Sequence, residues 1–336
     1  MESTAGIIII GDELIKGKVQ DTNSHFLAQK LYSLGVDVCK ISVIPDQIDV
    51  IAQEVALFSA KYTHVITAGG VGPTHDDMTY QGIARGLGED LIMLPALVKL
   101  IQSHFKKVQV PVGYDPLNPP TFAWDVDTST FNPALKMALV PLSSRLHFSD
   151  FVSSFPLVQA GNNVYILPGI PEYMRRGAQH LEKLCRNPNR TYHSRAVYLL
   201  SDEVQLAPVL NEVVRDHAPH VSFGSYPVLG NNYYRTRLTM ESSDTDRLET
   251  AHSQLKERLP SESIVSNYEP DPIQRADQVV EQILNDQGDS SNITAELRQA
   301  VTSAHQVNRL RIIDRSSVLS ARPFLFCLPF AYNKQN

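Results

Sequence analysis

Positive charge is in short supply in this chain. Thirty Lys and Arg face 36 Asp and Glu, a net charge of -6. A protein that grips a nucleic-acid backbone needs a basic face, so no nucleic-acid partner is expected. Cysteine is scarcer still. Cys39, Cys185 and Cys327 share no metal-ligand spacing and cannot all pair with one another, which fits a reducing compartment. Long apolar runs are missing too. Ile7 to Ile10 is interrupted at once by Gly11-Asp12-Glu13, and acidic Glu2 stands where a signal peptide needs basic residues. Nothing approaches the length of a membrane span. A cytoplasmic protein without membrane contact is the expectation. What is present is ordinary globular material, 43% hydrophobic and 20% charged, and 336 residues leave room for two domains.

The order of elements predicts the fold class. Ile7 to Ile10 reads as a buried parallel strand. Asp21 and Thr22 can cap a helix with Leu27, Leu31 and Leu34 on its apolar face and Gly35 as its stop. A β-rich stretch from Val36 to Ile44 ends at Pro45-Asp46, and the next helix places Ile48, Ile51, Val55 and Phe58 on one face. His64 to Ala68 is a third strand opening into Gly69-Gly70-Val71-Gly72-Pro73, followed by a helix over about Thr79 to Leu87. This alternation predicts an α/β fold, a parallel or mixed sheet with helices on both faces. Around 108–127 the pattern fails. Pro111, Pro116, Pro119, Pro120 and the single tryptophan, Trp124, mark a long surface loop or insertion. Order returns at Asn163 to Leu167, which runs into Pro168-Gly169-Ile170-Pro171, with Pro171 suited to the first turn of a helix.

From Thr191 the grammar changes. Ala196 to Leu200 reads as a strand. A helix after Asp202 carries Leu206, Leu210 and Val213, with its start obscured by Pro208, a residue that belongs in a first turn. Two strands flank a turn at Gly230-Asn231, and another helix spans about Thr245 to Leu259. The predicted division is an α/β domain over 4–185 with its insertion near 108–127, a small α+β domain over 190–268, and a linker and atypical tail over 269–336. Asp286 to Ser291 is the clearest linker, and Ser303 to Asn336 shows no sustained period.

In a doubly wound sheet, ligands bind beyond the carboxyl ends of the strands. Three segments leave that edge with unusual residues: Gly11-Asp12-Glu13 followed by Lys16 and Asn23; Thr67 through Gly69, Gly70, Gly72 and Thr74 to His75-Asp76-Asp77; and Leu167-Pro168-Gly169. Glycines let backbone N–H groups converge on an anion, and the following helix start favours negative charge. Carboxylates repel phosphate, so paired Asp76 and Asp77 imply a divalent cation between them and the anion. Asp77 can equally be a helix cap. Asp12 and Glu13 can be a metal ligand and general base, or a turn chosen for its conformation. Lys16 can neutralise a phosphate or stand solvated. His25, His75 and His147 have no ligand spacing.

At these residues the sequence resembles a known family. Thr67-Ala68-Gly69-Gly70-Val71-Gly72-Pro73-Thr74-His75-Asp76-Asp77-Met78-Thr79 resembles the signature loop of the molybdopterin-binding-type (MoCF) domain. Gly11-Asp12-Glu13-Leu14 with Thr22-Asn23, and Leu167-Pro168-Gly169-Ile170-Pro171-Glu172, look like blocks of its competence-damage protein A branch. The similarity covers roughly residues 4 to 270. It takes in Gly224-Ser225-Tyr226-Pro227 and Asn232-Tyr233-Tyr234, where the chain looks most like the N-terminal half of eukaryotic FAD synthase. The resemblance implies a three-layer fold and metal-dependent hydrolysis of FAD or an ADP-ribose-like dinucleotide. Asp12, Glu13, Asp76 and Asp77 would be catalytic, and Asp12, Asp76 and Asp77 would hold the metal. Lys16, Asn23, Thr67, Gly69, Gly70, Gly72, Thr74, Pro168 and Gly169 would bind substrate. The alternative is a non-catalytic pterin- or nucleotide-binding regulatory module, and a homo-oligomer is compatible with either. The Ser/Asn-Gly-Gly-Lys-Asp phosphate loop of the synthase half is not found, so adenylyl transfer to FMN is not expected from this chain.

Overall fold

The computed structural model describes residues 3–105, 108–148, 155–229, 231 and 233–265. Gly230 of the expected turn, the linker at Asp286 to Ser291 and the tail from Ser303 lie outside these residues. The described chain falls into two compact units. One takes residues up to 195 together with 214–223 and 240–252; the other takes 196–213, 224–239 and the residues from 253.

The first strand, β1 (Thr4–Ile10), is buried from Ala5 onward, because four isoleucines in succession leave neither of its faces for water. A one-turn helix α1 (Asp12–Ile15) follows, then α2 (Asn23–Ser33), β2 (Asp37–Ile44), α3 (Ile48–Lys61), β3 (His64–Ala68) and α4 (Thr79–Leu87). Asp21 Oδ1 accepts from the backbone N–H groups of Asn23 and Ser24, both at 2.9 Å, and so caps α2. Gly35, at φ +74, lets the chain leave α2 toward β2.

The stretch after α4 is richer in structure than its proline content suggests. It contains β4 (Leu91–Met93), α5 (Pro95–His104), β5 (Thr121–Phe122), α6 (Pro133–Lys136), β6 (Leu139–Pro141), β7 (Arg145–His147) and β8 (Leu157–Ala160) before β9 (Val164–Leu167), α7 (Pro171–Ala178) and α8 (Leu181–Cys185). The expected surface loop at 108–127 is irregular over 108–120 and none of its residues is fully buried, but it does not stand free of the core. Thr121–Phe122 pairs antiparallel with Leu91–Ile92, and Val108, Val110, Tyr114, Phe122, Trp124 and Val126 pack partly buried against the core. Gln81 of α4 anchors this stretch, its amide donating to the carbonyls of Trp124 (2.8 Å) and Val126 (3.2 Å).

The large sheet has six strands in the order β2-β1-β3-β9-β8-β7. The first three pairings are parallel and the last two antiparallel. Each face buries its own apolar cluster. Ile8, Ile10 and Val65 pack with Ile51, Val55, Phe58 and Ile83, while Ile7, Ile9 and Ile66 pack with Leu27, Leu31, Met174 and Leu181. This is the expected α/β architecture, a mixed sheet with helices on both faces, and a three-stranded sheet β5-β4-β6 stands beside it.

Later in the chain come β10 (His193–Leu199), α9 (Glu203–His217), β11 (Ser222–Pro227), β12 (Thr236–Ser242) and α10 (Thr245–Arg258), with the strands ordered β10-β12-β11. Along β12, Thr236, Leu238, Met240 and Ser242 are buried and the residues between them are not. Pro208 lies inside α9 rather than in its first turn. The carbonyl it leaves without a helical donor belongs to Val204, which is 85% exposed, so water can satisfy it.

Candidate functional site

The three parallel strands β1, β3 and β9 lie side by side and release their exit loops at one edge. Two contacts draw these loops together. Asn23 Nδ2, at the start of α2, donates to the Gly169 carbonyl at 2.7 Å. A Cβ on Gly169 would stand 3.2 Å from the Gly69 Cα, so the exits of β3 and β9 touch backbone to backbone. Gly69 itself has φ +114, and a side chain there would meet the Ile10 carbonyl at 2.0 Å. Only glycine fits.

Beyond Gly69 the loop is held at few points. Thr79 Oγ1 donates to the Gly69 carbonyl (2.8 Å) and the Thr79 N–H to the Gly70 carbonyl (3.0 Å). Among the described residues, the N–H groups of Gly70, Val71 and Gly72 meet no protein acceptor. Three successive free amides, beginning at positive-φ Gly70, are donors available to an anion. The turn that follows is closed by Asp77, whose Oδ2 accepts from the Thr74 N–H at 2.8 Å and from the Thr74 hydroxyl. The capping alternative for Asp77 is thereby corrected. Its carboxylate turns back to Thr74, and the residue before α4 is Met78, which makes no side-chain cap.

Charge is crowded at this edge. Asp12 heads α1, and its N–H donates to Asp46 Oδ2 at 2.9 Å. Lys16 Nζ stands 2.5 Å from Asp12 Oδ2, with the two side chains 56% and 48% exposed. That lysine holds the Asp12 carboxyl below the usual carboxylate range, and Asp12 raises the lysine in return. Asp46 is half-buried and pushed up, chiefly by burial and further by the charges of Glu13, Asp12 and Asp76. Asp76 is pulled down, first by the Thr74 hydroxyl beside it, with His75 and Lys136 adding to the effect. Four carboxylates from three loops thus feel one another's field.

Not every residue expected at the site faces it alike. Thr67 is fully buried within β3, and its hydroxyl has no partner among the described residues. Lys16 spends its charge on Asp12. Glu13 is exposed, its carboxylate folded back toward Gly11. Pro168 is half-buried beside exposed Gly169. Two further residues belong to the neighbourhood. Asp46 stands at the carboxyl end of β2, where the strand-exit rule applied to that strand would have found it. Lys136, 7% exposed, donates from Nζ to the Thr74 carbonyl, and no sequence pattern marks it.

Among the described residues, no group of three or more His, Cys, Asp and Glu is arranged to hold a metal ion. The donor set is nevertheless all carboxylate, which suits a hard divalent cation bound by one or two side chains and completed by phosphate oxygens and water. Among the described residues no helix is long and apolar enough to cross a membrane.

Comparison with known proteins gives this edge a lineage. Residues 6–186 match the family described as probable molybdopterin binding domain, and residues 191–268 match the FAD synthase middle domain. A probable FAD synthase of Caenorhabditis briggsae is 33% identical over 264 residues, which cover 76% of this chain and 49% of that protein. A protein of Archaeoglobus fulgidus is 31% identical over 253 residues, 75% of this chain and 96% of its own length. Among solved structures, the protein CinA of unknown function from Thermoplasma acidophilum aligns with a TM-score of 0.45 and 28% identity, covering 55% of this chain and 100% of that one. The chain spans about half the length of the curated FAD synthases it matches, 49% and 50%. The expected lack of adenylyl transfer finds no support in relatives that carry the synthase name. By residues 6–186, over half of its length, this chain belongs to the probable molybdopterin binding domain family, with an FAD synthase middle domain following at 191–268.

Proposed function

We propose that the edge formed by β1, β3 and β9 binds a nucleotide through its diphosphate and hydrolyses the pyrophosphate of FAD or an ADP-ribose-like dinucleotide. The observation that carries this reading is the run of free amides at Gly70, Val71 and Gly72 beside crowded carboxylates. An anion nest alone would be weakened by acidic neighbours; acidic neighbours alone would have no reason to surround glycine amides. A phosphate accompanied by a divalent cation uses both. One or two of Asp12, Asp76 and Asp77 would hold the cation, with phosphate oxygens and water completing its shell and Asp46 nearby. When bound, the cation would supply positive charge to the phosphate oxygens.

The chain's own groups have separable tasks. The free amides receive phosphate oxygens. Asn23, pinned to the Gly169 carbonyl, keeps the β9 loop against the glycine loop. Glu13, exposed and close enough to act electrostatically on Asp46, is the carboxylate able to take a proton from an attacking water. Adenylyl transfer to FMN is not part of this reading.

A second reading is a pterin- or nucleotide-binding regulatory module without turnover. It is favoured by the engagement of Asp12 with Lys16 and of Asp77 with Thr74, which leaves two of the carboxylates already partnered. Incubating the purified protein with FAD and ADP-ribose across a panel of divalent cations separates the two. Release of FMN and AMP is expected. Tight binding without product would select the module, and neither binding nor product would end both readings.

A further inference from the structure

Lys136 closes α6 and is nearly enclosed, at 7% exposure. Taking an ammonium group out of water is costly unless something is gained in return. Its Nζ donates to the carbonyl of Thr74, 62 residues earlier in the chain, and among the described residues this is its one hydrogen-bond partner. The nearby charges that act on it are those of Asp77 and Asp76. Burial draws the ammonium below the usual lysine range, and these two carboxylates oppose that pull. Thr74 opens the turn that Asp77 closes, through bonds to the Thr74 N–H and hydroxyl. One short turn is thus held by a carboxylate at its exposed end and by a cation from the buried side.

A lysine placed only to fill space would be poorly chosen here. Met has a similar length and carries no desolvation penalty. A lysine placed only to pair with an acid would reach Asp76 or Asp77 directly, yet it bonds a carbonyl and leaves those carboxylates to act on it through space. The arrangement fixes the backbone of the turn and places one positive charge behind two negative ones.

We propose that Lys136 is a positioning residue of the phosphate site, fixing the Thr74–Asp77 turn through the Thr74 carbonyl and supplying the charge that lets an anion approach Asp76 and Asp77. The inference rests on the phosphate-binding reading above. It has a signature that a merely structural role lacks. Removing a positive charge from beside two carboxylates leaves their repulsion of an anion uncompensated and strengthens their attraction for a cation. The two affinities must move in opposite directions.

The test uses the full chain with Lys136→Met, Lys136→Gln and Lys136→Arg. Gln can still donate to a carbonyl but carries no charge; Arg keeps the charge. Binding of inorganic pyrophosphate is followed by calorimetry, and binding of Mn²⁺ alone by electron paramagnetic resonance. In Lys136→Met, pyrophosphate affinity should fall about tenfold, as for loss of one charged contact, while Mn²⁺ binds more tightly and the melting temperature does not drop. Lys136→Gln should show the same opposed shifts, and it decides the matter if the Met variant does not fold. Lys136→Arg should stay close to the parent in both. Parallel weakening of both ligands would mean that the turn has simply collapsed and would overturn the proposal, as would no change in either. If the parent binds no pyrophosphate either alone or with Mg²⁺, the phosphate reading fails and this inference with it. Strong binding by the parent that Lys136→Met leaves intact removes the inference alone.

Discussion

The exits of β1 and β3 carry the same kinds of residue and use them in opposite ways. At the β1 exit, Asp12 and Lys16 sit one helical turn apart with both side chains about half exposed, and they satisfy each other. At the β3 exit the cation comes from far away in sequence, is buried, and bonds a carbonyl rather than the acids. Water competes freely with the first pair and less with the second, whose lysine is 7% exposed and held by the surrounding fold. The backbone repeats the contrast. Gly11 is extended, and a Cβ there would meet the movable carboxylate of Glu13; Gly69 is left-handed and pressed against a carbonyl.

The sharpest way to separate the two exits is through turnover. Asp76→Asn and Asp77→Asn should each cost roughly 3–5 kcal/mol in the hydrolytic barrier, as expected for a lost cation ligand. Folding stability should fall by only about 1 kcal/mol, because Asn can still accept a hydrogen bond. Melting curves and FMN release for each variant check both numbers, and retained turnover in both would remove the β3 exit from the chemistry.

Stability gives the next contrast. Gly69→Ala should lose roughly 2–3 kcal/mol from backbone strain and the Ile10 clash, whereas Gly11→Ala should lose less than about 1 kcal/mol. Urea midpoints of the two variants compare them directly, and equal losses would break the distinction. Smaller still is Lys16→Ala. An exposed ion pair adds little stability and is screened by salt, so the variant's melting temperature should differ little from the parent's, and the difference should shrink further as salt is added.

The smallest effect depends on pH. The folded state raises the Asp46 pKa above its ordinary 3.8, so ionising this group opposes folding. Below 3.8 the carboxyl is protonated in both states and costs nothing; as pH rises through the folded value, stability is lost. Asp46→Asn should therefore melt slightly higher than the parent at neutral pH and equally at pH 3. A variant less stable at neutral pH would show that the ionised Asp46 carboxylate does not oppose folding.

Much of this was legible in the sequence, for identifiable reasons. Ile7 to Ile10 and His64 to Ala68 are apolar without alternation, which is what a strand buried on both faces requires. The glycine–aspartate loop was visible because its parts are contiguous. Between 89 and 160 little could be read. Strands of two or three residues such as Thr121–Phe122 and Leu91–Met93 are too short to display a period, and proline there suggested exposure although Trp124 and Phe122 pack on the core. Asp46 and Lys136 escaped for another reason. Their significance lies in burial and in contacts 34 and 62 residues away, and neither is written in local spacing.

Gln81 holds the stretch after α5 by two carbonyls, those of Trp124 and Val126, and so recognises the path of the backbone rather than the identity of its side chains. Such a clasp tolerates substitution but counts residues. Replacing Val126 by another apolar residue leaves both bonds available, whereas deleting one residue between Pro120 and Trp124 drags the carbonyls out of register. This segment should therefore accept substitutions more readily than deletions, except where its side chains pack: Arg85 lies 4.5 Å over the Trp124 ring and Phe122 meets the Phe131 ring edge-on.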